Sequence, residues 1–173
     1  MFKSNEKTAK QHLIELLKNQ KEINSKNFAN LDLSDVDFSE KIFIGCCFSK
    51  TKFLRCNFTG VKFRMCFAEF CELEDCVFEN SDLQFSSFSG SFFTNVSFKN
   101  SELLHNNFNG IQTDSVIFND SDLYNSSIVN AHLSFAMFEN CNLKKVVFYK
   151  NKYTGVSFKA SNTREALFDV EIA

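Results

Sequence analysis

Residues 26–48 read KNFANLDLSDVDFSEKIFIGCCF, and in them Phe28, Leu33, Phe38, Phe43 and Phe48 stand five residues apart. The spacing runs to Phe168 without insertion or deletion, through 29 positions of which Phe fills 17 and Leu seven. Ile128, Tyr153, Ala68, Thr113 and Thr163 fill the rest. A fixed period held this long sets the architecture ahead of any local propensity.

Two places before each Phe or Leu, the residue is Ala, Cys, Ser, Thr or Val in 23 of 29 repeats. Of 31 charged residues between positions 26 and 170, only Lys26 and Lys41 occupy either of these two places. All five glycines, and seven asparagines, fall two places after the Phe or Leu. The pattern is two inward residues and three outward ones, the last tolerant of positive φ. Period five fits neither a helix nor a flat strand. A chain that turns a corner every five residues closes a square coil after twenty. Coils stacked at the strand spacing of about 4.8 Å pair their backbones and pile Phe on Phe. The repeat region makes just over seven such coils, a rod about 35 Å long at that spacing.

The order small, polar, Leu or Phe, polar, polar across residues 26–170 resembles the pentapeptide-repeat family. The resemblance implies an all-β solenoid, a right-handed quadrilateral β-helix of about seven 20-residue coils. Lys41, Asn106, Asn151, Leu31 and Ile111 at the small position depart from the pattern, as do Ala68, Thr113 and Thr163 at the large one. These departures predict local irregularity, with a bend or a cavity near Ala68.

Ala9, Leu13, Leu16, Leu17 and Gln20 recur at helical spacing within residues 5–24. They predict an amphipathic α-helix laid over the first coil. Its apolar stripe is short and lacks aromatics, which disfavours a membrane-surface helix. The domain reading is a helical cap over 1–25, a β-helix over 26–170 and a tail over 171–173. Phe168, Val170 and Ile172 alternate as a short strand would. An open coil end exposes apolar side chains and strand edges. Phe158, Phe168, Val170 and Ile172 are therefore the expected interface of a homodimer through the C-terminal end.

Glu15 interrupts the only apolar run near the start, so no signal peptide is expected, nor any membrane span. Seven cysteines, an odd number, do not suit a secreted disulfide framework. Six of them (Cys46, Cys56, Cys66, Cys71, Cys76 and Cys141) take the small inward place and read as buried hydrophobes rather than zinc or redox ligands. The expectation is a reduced, cytoplasmic protein. His12, His105 and His132 lack a nucleophile or carboxylate at a catalytic spacing, and no phosphate loop or zinc-ligand motif occurs. The chain reads as a non-enzyme with no cofactor and no metal.

A net charge of −2 conceals segmentation. Residues 41–64 hold six basic groups and no acid, 65–143 hold eleven acids against Lys99, and 144–164 hold six basic groups and no acid. At period twenty, Asp82, Glu102 and Asp122 fall in one column, a strand spacing apart, where like charges repel. Met65, Phe85, Leu104 and Tyr124 lie outward beside them and Phe67 on the adjoining face. Carboxylates beside exposed apolar side chains suggest a surface that recognises another protein. The plainer reading is that these charges only keep a Phe-rich rod soluble. Phe92 and Phe135 are outward on a different face.

Within the family, the chain is similar to quinolone-resistance proteins, which implies an alternative. Asp82, Glu102 and Asp122 would stand in for DNA phosphates toward DNA gyrase or topoisomerase IV. The flanking basic bands and the near-zero net charge weigh against that alternative. No direct binding of nucleic acid is expected, because the basic bands lack a stacking array and the pI is about 5.9.

Overall fold

The computed structural model describes residues 2–169, with side chains from Thr8 onward. Every fifth residue from Ser25 to Glu165 has φ between 50° and 69°. A left-handed residue at each fifth place turns the extended chain through a corner, and four corners close one coil. Gly and Asn adopt this conformation at little cost. Met65, Phe70, Phe85 and Phe135 adopt it too, at about 1–2 kcal/mol each.

All pairing is parallel at a register of twenty, as in Ile23↔Phe43 and Leu33↔Phe53. Seven strands stack on the Leu33 side, from Asp32–Ser34 to Lys152–Thr154. On the Phe43 side four strands stack from Glu22–Asn24 to Asp82–Gln84. Bridges then carry the same column through Glu102, Asp122, Asn142 and Asn162. The result is a β-solenoid of about seven turns with one N-terminal helix.

The helix spans Phe2–Asn19, and Glu22–Asn24 already pairs with Ile42–Ile44. The first coil therefore starts inside the segment read as cap. Ile23, five residues before Phe28, is its first inward side chain and is 1% exposed. Leu13, Leu16 and Leu17 are buried, with Ala9 and Ile14 packed against the same core. Lys41 has a specific place. Its ammonium donates to the carbonyls of Leu17 and of Gln20, the latter at 2.9 Å, at the end of the helix. A cation there satisfies orphan carbonyls and complements the helix dipole. Lys10 Nζ donates to the Asp32 carbonyl at 2.8 Å, a second tie between helix and coil.

Inside, Phe38, Phe58, Phe78, Phe98, Phe118, Phe138 and Phe158 stack with successive centroids 4.2–5.3 Å apart. Register does not break at Ala68, itself buried. The bridges Cys47↔Phe67↔Ser87 keep register. Phe63 leans in from the neighbouring column, parallel within 3° to Phe48 at 5.6 Å and to Phe88 at 6.5 Å. It takes the place of the ring that Ala68 lacks.

The small inward position also has a polar task. Ser101 Oγ accepts from the Ser81 N–H at 3.0 Å and donates to the Phe78 carbonyl at 2.8 Å. Ser121 repeats this one coil on, and Thr51 does the same near the first coil. Asn106 matches it: Oδ1 accepts from the Ser86 N–H at 2.8 Å and Nδ2 donates to the Leu83 carbonyl at 2.7 Å. Asn151 makes the equivalent pair. The irregularity expected at Asn106 and Asn151 is thus absent, because an amide bridges the same backbone donor and acceptor as a hydroxyl. Among the described residues no buried side-chain nitrogen or oxygen lacks a partner.

Candidate functional site

The column Asp82, Glu102, Asp122 forms as expected, bridged residue to residue. Its three carboxylates are not equivalent. Asp82 is ion-paired with Arg64, whose guanidinium also donates to the Asp82 carbonyl at 2.9 Å, and accepts from Gln84 Nε2 at 2.9 Å. Asp122 accepts from the Tyr124 N–H at 2.8 Å and from Asn142 Nδ2 at 3.0 Å. Glu102 is exposed and, among the described residues, has neither an ion pair nor a side-chain hydrogen bond. The local chain sets these differences: Arg64 lies diagonally below Asp82, while an aspartate two residues before Tyr124 reaches forward to accept from its amide.

The corner between the Phe43 and Phe48 sides stacks Met65, Phe85, His105, Asn125 and Lys145, since all share the left-handed place. Phe85 and His105 lie face to face, centroids 4.8 Å apart and planes within 7°. Asn125 Nδ2 is 2.9 Å from His105 Nδ1, and Tyr124 meets the imidazole edge-on at 5.7 Å. Lys145 Nζ lies 5.7 Å from the Tyr124 ring centre. His105 looks in sequence like an ordinary solvated corner. The structure makes it the junction between Phe85 and Tyr124, which nothing except the twenty-residue register could have signalled.

Met65, Phe67 and Phe85 are 55%, 50% and 57% exposed, and Phe70, not singled out in the sequence, is 59% exposed. Leu104 and Tyr124 are only half-exposed. The apolar part of the surface therefore centres on the third and fourth coils, below the acidic column. Phe70 has a local function as well. Its ring lies where a Cβ on Gly90, one coil on, would meet it at 2.6 Å. Val170 and Ile172, assigned to the dimer end, lie outside the described residues. Phe158 and Phe168 are in the last coil, half-exposed, their rings 5.6 Å apart.

Of the histidines, His12 and His132 are exposed. Among the described residues no three His, Cys, Asp or Glu side chains are grouped to hold a metal. Burial pushes the Cys66 and Cys141 thiols up to about 11 and that of Cys71 to about 12. No helix among the described residues is long and apolar enough to cross a membrane.

No curated protein sequence matches the chain. Among solved structures it is similar to HetL, a pentapeptide repeat protein involved in heterocyst differentiation regulation from the cyanobacterium Nostoc sp. The identity is 14%, over 95% of this chain and 98% of that one, with a TM-score of 0.40. It is also similar to QnrB1, a plasmid-mediated fluoroquinolone resistance protein, at 19% identity over 81% of each chain and a TM-score of 0.41. Superpositions this loose carry no statement about function. Family models speak more directly. The model for a pentapeptide repeat region matches residues 91–168, and that for pentapeptide repeats in eight copies matches 27–60 and 56–100. Matched end to end over the coils whose corners and columns repeat every fifth residue, the chain belongs to the pentapeptide-repeat family.

Proposed function

We propose that this chain is a non-catalytic protein-interaction module whose partner surface joins Met65, Phe67 and Phe85 to Leu104, Tyr124 and the Asp82–Glu102–Asp122 column. The observation that carries it is the group of half-or-more exposed Met65, Phe67, Phe70 and Phe85 on adjacent coils. Three of them, Met65, Phe70 and Phe85, are held in the strained left-handed conformation. Large apolar side chains kept outside where Gly or Asn would relieve the backbone fit selection for contact. The alternative, DNA mimicry toward a type II topoisomerase, is the weaker reading, since Arg64 neutralises Asp82, and the Tyr124 amide and Asn142 already occupy Asp122.

Quantitative affinity purification with wild type and Phe67→Ser/Phe85→Gly tests the main reading. The expected result is a partner retained by wild type and lost from the variant. Identical partner sets would refute the surface. A DNA gyrase supercoiling assay tests the alternative. Dose-dependent inhibition abolished by Glu102→Lys would favour it over the module reading.

The C-terminal coil supports a homodimer. Tyr153, Phe158 and Phe168 are only half-buried, whereas Phe138 and Phe148 one coil earlier are fully buried. The same end of a second chain would cover them, giving a two-fold rod. Light scattering that returns 19.9 kDa at micromolar concentration rules it out.

A further inference from the structure

Near the C-terminal end, three cations gather around a single carboxylate. Lys144 and Lys145 on one coil lie beneath Arg164 and Glu165 on the next, at the register of twenty that the Asn142↔Asn162 bridge fixes. Lys144 Nζ and Arg164 Nε lie 3.5 and 3.6 Å from Glu165 Oε1, and Lys145 Nζ lies 3.8 Å from Oε2. Charge-assisted N–H···O bonds close at about 2.7–2.9 Å, so none of the three cations touches the carboxylate. In the first coils basic groups pair one to one and in contact, Lys52 with Glu72 and Arg55 with Asp35, each at 2.7 Å. Here three share one acid, and two positive charges are left over. Glu139 and Asp169, the neighbouring acids in the chain, accept instead from the Ser157 hydroxyl and the Lys150 amide on other faces. The Tyr124 ring, 5.7 Å from Lys145 Nζ, helps to hold that ammonium in place. All four charged side chains are partly exposed, so a ligand can reach them.

We propose that Lys144, Lys145 and Arg164 form a site for a phosphate monoester, and that Glu165 stands in the place of that ligand until one arrives. A phosphate monoester carries nearly two negative charges at neutral pH and three strong acceptor oxygens. Three oxygens can serve three cations at once, which the two oxygens of Glu165 do not. A dianion also cancels one more positive charge than the carboxylate it replaces. On binding, the Glu165 side chain turns out into water and each cation takes a phosphate oxygen. Exposed ion pairs hold only weakly, so little opposes the exchange. The site borders the partner surface described above at Tyr124 but does not rest on that reading.

The test is a nuclear magnetic resonance titration of the full chain, labelled with nitrogen-15, with inorganic phosphate and then with phosphoserine peptide, ionic strength being held constant with sodium chloride. Saturable shifts are expected at the amides of residues 144, 145, 164 and 165 and at Arg164 Nε–H. Lys144→Ala with Arg164→Ala should weaken binding about tenfold or more, as for lost hydrogen bonds to a charged group. Glu165→Gln, which removes the competing charge, should tighten it about fivefold. Lys52→Ala with Arg55→Ala, in the other basic band, should leave it unchanged. Tighter binding of the peptide than of inorganic phosphate assigns the ligand to a phosphorylated protein, and equal binding assigns it to free phosphate compounds; either supports the site. Absence of saturable shifts in both wild type and Glu165→Gln overturns the proposal. So does equal weakening by the Lys52/Arg55 variant, or weaker binding by Glu165→Gln, which would make the carboxylate an organiser of the cations rather than a substitute for the ligand.

Discussion

At the scale of single residues, position within the five-residue unit decides energetic weight. Phe98 is fully buried in a continuous aromatic stack between Phe78 and Phe118. Phe98→Ala should cost about 3–5 kcal/mol in urea unfolding, whereas exposed Lys99→Ala should stay within about 0.5 kcal/mol. Equal effects would mean that inward and outward have been misassigned. The buried thiols give a pH signature. Cys66 and Cys141 are pushed up to about 11 and Cys71 to about 12 by burial, from an ordinary value of 9.0. Above pH 9 the unfolded chain therefore loses these protons before the native chain does. Their contribution, complete below pH 9, should fade as pH rises toward 12. Under reducing conditions the melting temperature should fall across that window, and a Cys66→Ser/Cys71→Ser variant should fall less steeply.

At the scale of elements, the helix and the coil are joined by a residue the repeat alone would call an error. Lys41 at an inward place breaks the small-residue rule, yet its ammonium caps the helix through the Leu17 and Gln20 carbonyls. Lys41→Met keeps the stem and removes the donors. It should lower stability by about 1.5–3 kcal/mol, the range for hydrogen bonds to a charged group. Hydrogen exchange should speed up first at residues 16–20. A helix unaffected by the change would remove Lys41 from this role.

Coil number, corner positions and the inward columns were legible because each follows from counting in fives. The compensation at Ala68 was not, since Phe63 crosses from another column to meet Phe88, and a period cannot report a side chain that leaves its own column. The candidate surface was half legible. Its residues were named from outward places, but the register does not disclose that Arg64 pairs with Asp82 or that His105 stacks on Phe85. Both depend on rotamers chosen between coils.

At the scale of the whole molecule, each coil touches only its neighbours, so stability is a sum along one axis. Its two ends differ. The first coil lies under the helix, while in the last Thr163 is exposed and Tyr153, Phe158 and Phe168 are half-exposed. Amide exchange should therefore show protection declining toward residues 151–168 and highest in the central coils, where Phe98, Phe108 and Phe118 are fully buried. Uniform protection would mean that the rod opens in one cooperative step.

The unbroken register also gives every outward side chain an address of storey and compass bearing. Residues whose numbers differ by twenty look in the same direction one storey apart, as Glu102 does above Asp82. A five-residue insertion would swing everything downstream by a quarter turn. A twenty-residue insertion would restore each bearing and add one storey. The distance between the Phe85 corner and the half-exposed Phe158 of the last coil could then be lengthened without changing which way either one looks.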